Sequence, residues 1–244
     1  MIAMKPICVI IIALLFAGCK MPTPLVINGT TVLADGGIIS IKNNADSVLA
    51  STFIKAGKFQ INHFGIEPGY YTFCVKKFDM RADYDIYLEP GEYAIALPDE
   101  DGKYLTVNTA SITQNKLTDY YNFENAILYK FRKDILKATN AINTANPTLS
   151  DADFQKLVND QNAAKARERG AHIAAMNAYI DKHPQTDVIL HILDVSDYQS
   201  DPSTYQIVFN RLSEAVKDSG EGKALDKKLA EGQKDQPRAV PAHS

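Results

Sequence analysis

GKFQINHFGIEPGYYTFCVKKF, residues 57–78, is the stretch that decides the fold of the first half of the chain. Polar side chains alternate with apolar or aromatic ones over residues 58–64, which is typical of a strand with one buried face. Glu67-Pro68-Gly69 then supplies a turn, because Pro fixes φ and Gly permits a positive φ. A second β-branched and aromatic run follows over residues 70–77. The segment therefore predicts two strands separated by a turn.

The same pattern continues on both sides of this segment. Short β-branched and aromatic runs are separated by Gly, Pro, Asn and Asp, at the spacing of roughly 8–12 residues that is typical of a sandwich or barrel. The predicted strands cover residues 25–28, 38–42, 47–54, 58–64, 70–77, 84–88, 92–97 and 104–108. We therefore predict an α+β protein in which an antiparallel β-sandwich or barrel-like domain, residues 25–110, precedes a helical region, residues 111–231.

Apolar residues recur at intervals of three, four or seven after Ser111, which places them on one helix face as far as Ile142. Asn146-Pro147 ends this helix, and Ser150 with Asp153 predicts the N-cap and acidic first turn of a second long helix. His183-Pro184 should stop the second helix, because the residue before proline disfavours helical geometry.

Three shorter helices are predicted after this point. The first covers residues 186–198, and Asp201-Pro202 opens a second that continues through Val216 to a stop at Ser219-Gly220. Residues 223–231 form a last, charged helix. Residues 232–244 have no apolar face to bury, which predicts a disordered tail.

The leader ends in LLFAGCKMPTP, residues 14–24. A positive Lys5, a short apolar run over residues 7–16 and small residues before a cut site indicate a secretory signal peptide, residues 1–18. The apolar run is shorter than the about 20 residues that span a bilayer. An ordinary signal peptide also ends in small residues, so the cysteine at position 19 is the feature that distinguishes a lipoprotein from a secreted protein.

Phe16-Ala17-Gly18-Cys19 resembles the lipobox of bacterial lipoproteins, although Phe16 replaces the usual Leu, Val or Ile. The resemblance implies that the Cys19 thiol carries a diacylglyceryl group and that Cys19 becomes the first residue. Stable anchoring needs two membrane signals, and a lipoprotein cysteine supplies two or three chains. Residues 19–24 would be a spacer. They lack the acidic cluster of some surface-exported lipoproteins, so we expect the periplasmic face of the outer membrane.

The charge balance excludes some classes of partner. The chain has 26 Lys and Arg against 29 Asp and Glu, without the clusters of Lys and Arg that nucleic acid requires. A basic membrane patch is not evident either. We therefore expect no nucleic-acid partner.

Cys74 is the one cysteine of the predicted folded region, because Cys8 lies in the leader and Cys19 is the predicted lipid site. An intrachain disulfide needs two thiols, so none is expected. Cys74 lies in an apolar strand, which favours a buried, inert thiol over a reactive or intermolecular one.

Other candidate site residues are better explained by structure than by chemistry. The histidines show no metal-binding spacing and are predicted at the surface or in caps; they are His63, His172, His183, His191 and His243. Turn chemistry is the favoured explanation of two acidic groups, which are Asp79, Asp83 and Asp85, and Asp99-Glu100-Asp101-Gly102. Five strand tyrosines either pack at the edge of a core or line a sugar or peptide groove; they are Tyr70, Tyr71, Tyr84, Tyr87 and Tyr93. No catalytic, cofactor or metal site is predicted.

Three segments resemble a lipoprotein family of unknown function: GKFQINHFGIEPGYY (57–71), IYLEPGEYAIAL (86–97) and VNTASITQN (107–115). In that family a β-rich domain precedes a thioredoxin-like, AhpC/TSA-type domain in Gram-negative bacteria. A Gly-Ser pair is common in the family where this chain has Ala110-Ser111. The sequence ends at Ser244 without the Cys-x-x-Cys redox domain, so the oxidoreductase activity is not expected here.

Two functional hypotheses are favoured after these exclusions, and a hydrolase acting on a glycan or an ester is a third, less favoured alternative. The favoured one is a non-catalytic, membrane-anchored extracytoplasmic binding or scaffold module without a cofactor, with a periplasmic protein as a possible partner. The alternative is the N-terminal accessory half of a thiol-disulfide oxidoreductase that works with a separate thioredoxin-like partner.

Overall fold

The computed structural model describes residues 23–33, 35–78, 80–99, 103–146 and 148–235. The predicted leader, the lipid site Cys19 and the acidic loop residues Glu100 to Gly102 lie outside this part of the chain, as do Asp79, Pro147 and His243. The described residues form a mixed α and β protein in which eight strands precede six α-helices.

All eight predicted strands are present, with ends shifted by a few residues. They are β1 (Leu25–Thr30), β2 (Ile38–Lys42), β3 (Val48–Phe53), β4 (Lys58–His63), β5 (Gly69–Lys77), β6 (Met80–Leu88), β7 (Gly91–Ala96) and β8 (Thr106–Thr109). The largest shift is in β6, which begins at Met80 and not at Tyr84. As a result Asp83 lies inside a strand and not in a turn before it, so that prediction was wrong, whereas Asp85 lies in a strand as the prediction over residues 84–88 had it.

The strands form two four-stranded sheets with the orders β4-β1-β7-β8 and β3-β2-β5-β6. Each sheet keeps two edge strands, so neither closes into the predicted barrel. One pair also contradicts the antiparallel prediction, because β1 runs parallel to β7 with Leu25 opposite Gly91 and Thr30 opposite Ala96. Alternation identifies the buried face of a strand but contains no information about which strand lies beside it.

Apolar side chains from both sheets form one hydrophobic cluster. Ile27 of β1, Ile39 of β2, Phe73 of β5 and Ile95 of β7 all belong to it and are buried. Phe73 and Val75 of β5 and Ile86 of β6 face this cluster, so the alternate side chains Thr72 and Asp85 lie on the opposite face of the second sheet. That opposite face is where the helices dock.

The helices begin and end close to the predicted signals. They are α1 (Ile112–Asn143), α2 (Asp151–Lys182), α3 (Val188–Val195), α4 (Pro202–Asn210), α5 (Glu214–Lys217) and α6 (Gly220–Asp235), with a 3₁₀ turn at Tyr198–Ser200. Ser111, Ser150 and Asp201 cap α1, α2 and α4 with their side chains, and His183 is the C-cap of α2. The caps at Ser150 and Asp201 and the end of α2 at His183 confirm the sequence analysis, whereas the cap at Ser111 was not predicted.

Two helix predictions after Asp201 were wrong. The predicted helix through Val216 breaks into α4 and α5, where Arg211 pairs with Asp181 at 2.5 Å and Ser213 donates a hydrogen bond to Gln185. Both contacts tie the break to the end of α2. Gly220 begins α6 and does not end the preceding helix.

The helix α6 also extends past the predicted start of the tail. Leu225 and Leu229 are buried, and Gly232 lies one turn further on the same face, against Pro202 and Tyr198. This packing keeps residues 232–235 helical, whereas residues 236–244 lie outside the described part of the chain.

A second hydrophobic cluster holds the helices together and joins them to the sheet. Its buried members come from α1 to α6, and Tyr70 of β5 and Tyr87 of β6 pack against it. Gln114 at the start of α1 strengthens this junction, since its buried Oε1 accepts a 2.7 Å hydrogen bond from the backbone N–H of Tyr87. Among the described residues, no helix combines the length and apolar character needed to cross a bilayer.

Candidate functional site

A cleft runs between the second sheet and the helices, and three adjoining cavities make it up. The first has a volume of about 710 Å³, the second about 530 Å³ and the third about 440 Å³. Thr72, Asp85 and Val195 line both the first and the second cavity. Tyr121, Arg132 and Val195 line both the second and the third. Val195, at the end of α3, therefore lies where all three cavities meet.

The sheet contributes the floor of the cleft through alternate residues of β5 and β6. The strand register places Tyr70 opposite Tyr87 and Thr72 opposite Asp85, so these side chains share one face. Tyr70, Thr72 and Asp85 all line the first cavity. The helices α3 and α6 form the facing wall.

Asp85 is the residue on which the walls of the cleft converge. His191 of α3 places its Nε2 2.9 Å from Oδ2 of Asp85, and the Tyr121 hydroxyl of α1 donates a 3.0 Å hydrogen bond to the same oxygen. The Tyr104 hydroxyl donates to the backbone carbonyl of Asp85. Because both side-chain contacts use Oδ2, Oδ1 is the oxygen that Asp85 can offer to a ligand.

Aromatic packing fixes the position of His191. Its ring stacks on Tyr70 with centroids 3.4 Å apart and planes within 3°. Tyr70 in turn meets Tyr87 edge to face at 5.2 Å. Since Asp85 faces Nε2 and Tyr70 covers one ring face, His191 is held as part of the wall.

The tyrosines of the cleft remain neutral hydrogen-bonding groups at physiological pH. Burial raises the pKa of Tyr70, and the nearby carboxylates of Glu221 and Asp187 raise it further. Burial likewise raises the pKa of Tyr104 and Tyr121, with an added contribution from Asp85. Each phenol therefore keeps its proton. Tyr104 and Tyr121 use theirs in the hydrogen bonds to Asp85, so Tyr70 is the one of these three whose hydroxyl can donate to a polar ligand.

A buried carboxylate, Glu124, organises the far end of the cleft. Its side chain is only 1% exposed, and it lies 2.7 Å from His172 Nδ1 and 2.7 Å from Arg132 Nη2. The Tyr120 hydroxyl donates a third hydrogen bond at 3.0 Å. Burial raises the pKa of Glu124, but the hydrogen bonds and charges of His172 and Arg132 outweigh it, so the pKa is lowered.

The structure separates the predicted site residues into several groups. Tyr93 is buried in the β core, and Tyr71 and Tyr84 pack against that core. Tyr70 and Tyr84 line the cleft.

His172 and His191 are mostly buried beside carboxylates, so the prediction that they are surface or cap residues was wrong. Their partners Glu124 and Asp85 lie far away in the sequence, and no local pattern could have identified either pair.

Cys74 is buried in β5, as predicted. Burial raises the pKa of its thiol, and a hydrogen bond with Asp83 raises it further, which disfavours the reactive thiolate. In the described ranges no three His, Cys, Asp or Glu side chains come together as a metal site would require.

Comparison of the sequence with protein-family models gives no match, and comparison with curated proteins also gives none. The resemblance to lipoproteins that carry thioredoxin-like domains therefore stays a prediction. The function has to be argued from the cleft itself.

Proposed function

We propose that this protein is a membrane-anchored extracytoplasmic lipoprotein that acts as a non-catalytic binding module, with the cleft as its binding site. In this proposal the eight strands form a β-sandwich-like half that supplies the floor of the site, and the helices supply its wall. The membrane attachment rests on the lipobox-like residues around Cys19. The binding role rests on the cleft.

The observation that supports binding most directly is the composition of the first cavity. It combines aromatic rings, carboxylates, amides and a lysine, as shown by Tyr70, Asp85, Asn44 and Lys228. Ligand sites are typically concave, with a few polar groups placed among apolar and aromatic ones, and with volumes of about 300–1,000 Å³. The volume of about 710 Å³ lies in that range.

The proposal assigns His191 a structural role in the wall of the cleft. Its Nε2 faces the Asp85 carboxylate and Tyr70 stacks on its ring, so both contacts hold the side chain in place.

A tryptophan reporter tests this proposal, because the chain contains no tryptophan. Val195 lines all three cavities and is 53% exposed, so Val195→Trp places a fluorophore in the cleft. Ile207 on α4 is 63% exposed and lines none of these three cavities, so Ile207→Trp is the matched control. Both variants are titrated with soluble chito- and cello-oligosaccharides and with short synthetic peptides.

We expect at least one of these ligand classes to change the emission of the Val195→Trp variant in a saturable way and to leave the control unchanged. Tyr70→Phe, which keeps the ring and removes the hydroxyl, should weaken the response, as should Glu221→Gln. A flat Val195→Trp titration with every probe, or equal responses from both reporters, would contradict the binding role.

A further inference from the structure

We propose that a two-helix arm of this protein is a self-association element that pairs with the same arm of a second copy. The arm consists of residues 129–143 of α1 and residues 151–163 of α2, with their connection. This inference goes beyond the binding role of the cleft and does not depend on it.

The arm projects from the body without a hydrophobic core of its own. Leu128 is the last buried residue of α1, and Ala164 is the first of α2; every described residue between them is partly or fully exposed. At 1.5 Å per residue the α1 part of the arm extends about 22 Å and the α2 part about 20 Å. Most helical stability in proteins comes from packing of an apolar face, so two helices without a buried residue are marginal alone.

Large apolar side chains on the arm are left in contact with solvent. Leu136 is 47% exposed, Leu149 37% and Phe154 44%. Leu136 lies on α1, whereas Leu149 and Phe154 lie at the tip where α2 begins. Another pair of helices laid against the arm would cover these side chains and complete a four-helix bundle.

The charges of the arm indicate that the second pair of helices belongs to an identical copy. The α1 part carries four cations, Lys130, Arg132, Lys133 and Lys137, against one carboxylate, Asp134. The α2 part carries three carboxylates, Asp151, Asp153 and Asp160, against one cation, Lys156. One helix is thus basic and its neighbour acidic, so the arm is complementary to itself across a two-fold axis.

Arg132 already pairs with Glu124, whereas four other charges of the arm have no ion-pair partner among the described residues. Within the described residues, Lys130 and Lys137 form no ion pair with a carboxylate of the arm, and Asp151 and Asp160 form none with a lysine. The contacts that join the two helices include a 2.9 Å hydrogen bond from Gln161 to Thr139. Charge therefore favours an arrangement that sets α1 of one copy beside α2 of the other.

Charge reversal on each helix separately provides the test. The first variant, Lys130→Glu/Lys137→Glu, makes both helices of the arm acidic; the second, Asp151→Lys/Asp160→Lys, makes both basic. Sedimentation velocity on the purified full chain should show a monomer–dimer equilibrium that each variant shifts to monomer. An equimolar mixture of the two variants should recover the dimer, because each basic helix then meets an acidic one.

A control variant, Lys55→Glu/Lys76→Glu, reverses two exposed lysines of the β-rich half and should leave the dimer unchanged. Circular dichroism must show native helix content in both arm variants, and Leu136→Ser provides a second dimer-weakening variant that leaves the charges untouched. A full chain that stays monomeric at all concentrations, or a mixture that fails to recover the dimer, would overturn the proposal. Ligand binding by a monomeric variant in the cleft assay would show that the binding role does not depend on self-association.

Discussion

Glu124 is the residue at which burial and charge are most closely balanced. A buried carboxylate is costly unless it is paired and hydrogen-bonded, and here His172, Arg132 and Tyr120 supply three partners. These partners come from α1 and α2, so one side chain joins the two long helices just below the arm. Removing the charge of Glu124 should therefore lower the free energy of unfolding more than removing the charge of a surface carboxylate does.

We expect Glu124→Gln to lower the free energy of unfolding by about 3 kcal/mol at neutral pH, because it leaves the partly buried Arg132 without its closest counterion and weakens the hydrogen bond to His172. Glu168→Gln is the control; it removes a looser, more exposed contact to Arg132 at 3.8 Å and should cost at most about 1 kcal/mol. Urea denaturation of both variants gives the comparison. Equal losses in the two variants would contradict the special role of Glu124.

The same carboxylate predicts a dependence of stability on pH. The folded pKa of Glu124 is lowered, while an unfolded Glu titrates near about 4.3. The stabilisation is therefore complete above the unfolded pKa and is lost as the pH falls through the folded pKa. Thermal melting should show the gap between the wild type and Glu124→Gln narrowing below about pH 4. A gap that stays constant down to about pH 2 would argue against this assignment.

Cys74 should react slowly with thiol reagents in the folded state, since burial and Asp83 both raise its pKa. Ser51→Cys offers a matched control in the same sheet. Ser40 of β2 lies opposite Cys74 of β5 on one side and opposite Ser51 of β3 on the other, but Ser51 is exposed. Peptide mass mapping after iodoacetamide treatment measures both rates in one sample. If Cys74 were labelled as fast as the introduced thiol, its side chain in β5 would be accessible to solvent, which would contradict the prediction.

At the scale of the element, Gly170 lies inside the continuous helix α2, close to the base of the arm. A Cβ at this position would meet no atom within 4 Å, and the residue is exposed. Gly inside a helix is less favourable than Ala by about 1 kcal/mol. Gly170→Ala should therefore stabilise the protein by about 0.5–1 kcal/mol in urea denaturation.

The same substitution at Gly29 of β1 should have the opposite effect on the free energy of unfolding. A Cβ there would lie 1.8 Å from the ring of Phe59, so Gly29→Ala should destabilise the β half. If both alanine variants were destabilised, Gly170 would have a role in α2 beyond helix propensity.

The positions of the strands and helices along the chain were largely predictable from the sequence. Which of these elements lie side by side in the fold was not. The alternation over residues 58–64 and the cap at Ser150 are local signals, and both correspond to observed elements. The break before α5 was missed because Leu212 within the break and Val216 after it both reach the helical core, so the apolar period continues through it. The parallel pairing of β1 with β7 depends on tertiary contacts that no local pattern contains.

The candidate site was still less predictable. Tyr70 and Tyr84 were recognised as possible groove residues, but the pairing of Asp85 with His191 spans 106 positions. An acidic residue inside a strand and a histidine inside an apolar helix each have an ordinary explanation when they are read alone. Only the docking of α3 on the sheet brings them together.

At the scale of the whole molecule, the attachment at Cys19 remains the main prediction of the sequence. Cys19→Ser should move the protein from the membrane fraction to the soluble fraction of the cell and abolish incorporation of labelled palmitate, because the thiol is the predicted acyl acceptor. Cys74→Ser is the control and should stay in the membrane fraction. Membrane retention of Cys19→Ser without label would show that another part of the chain provides the attachment.

The position of β1 between β4 and β7 has a mechanical consequence. A pull on the N-terminal end of the chain acts along β1, and the hydrogen bonds to both neighbours lie across that direction. Both ladders must then be sheared together, whereas a strand at the end of a hairpin can be unzipped one bond at a time. The β half should therefore resist tension applied through its first residues better than tension applied across the β5–β6 hairpin.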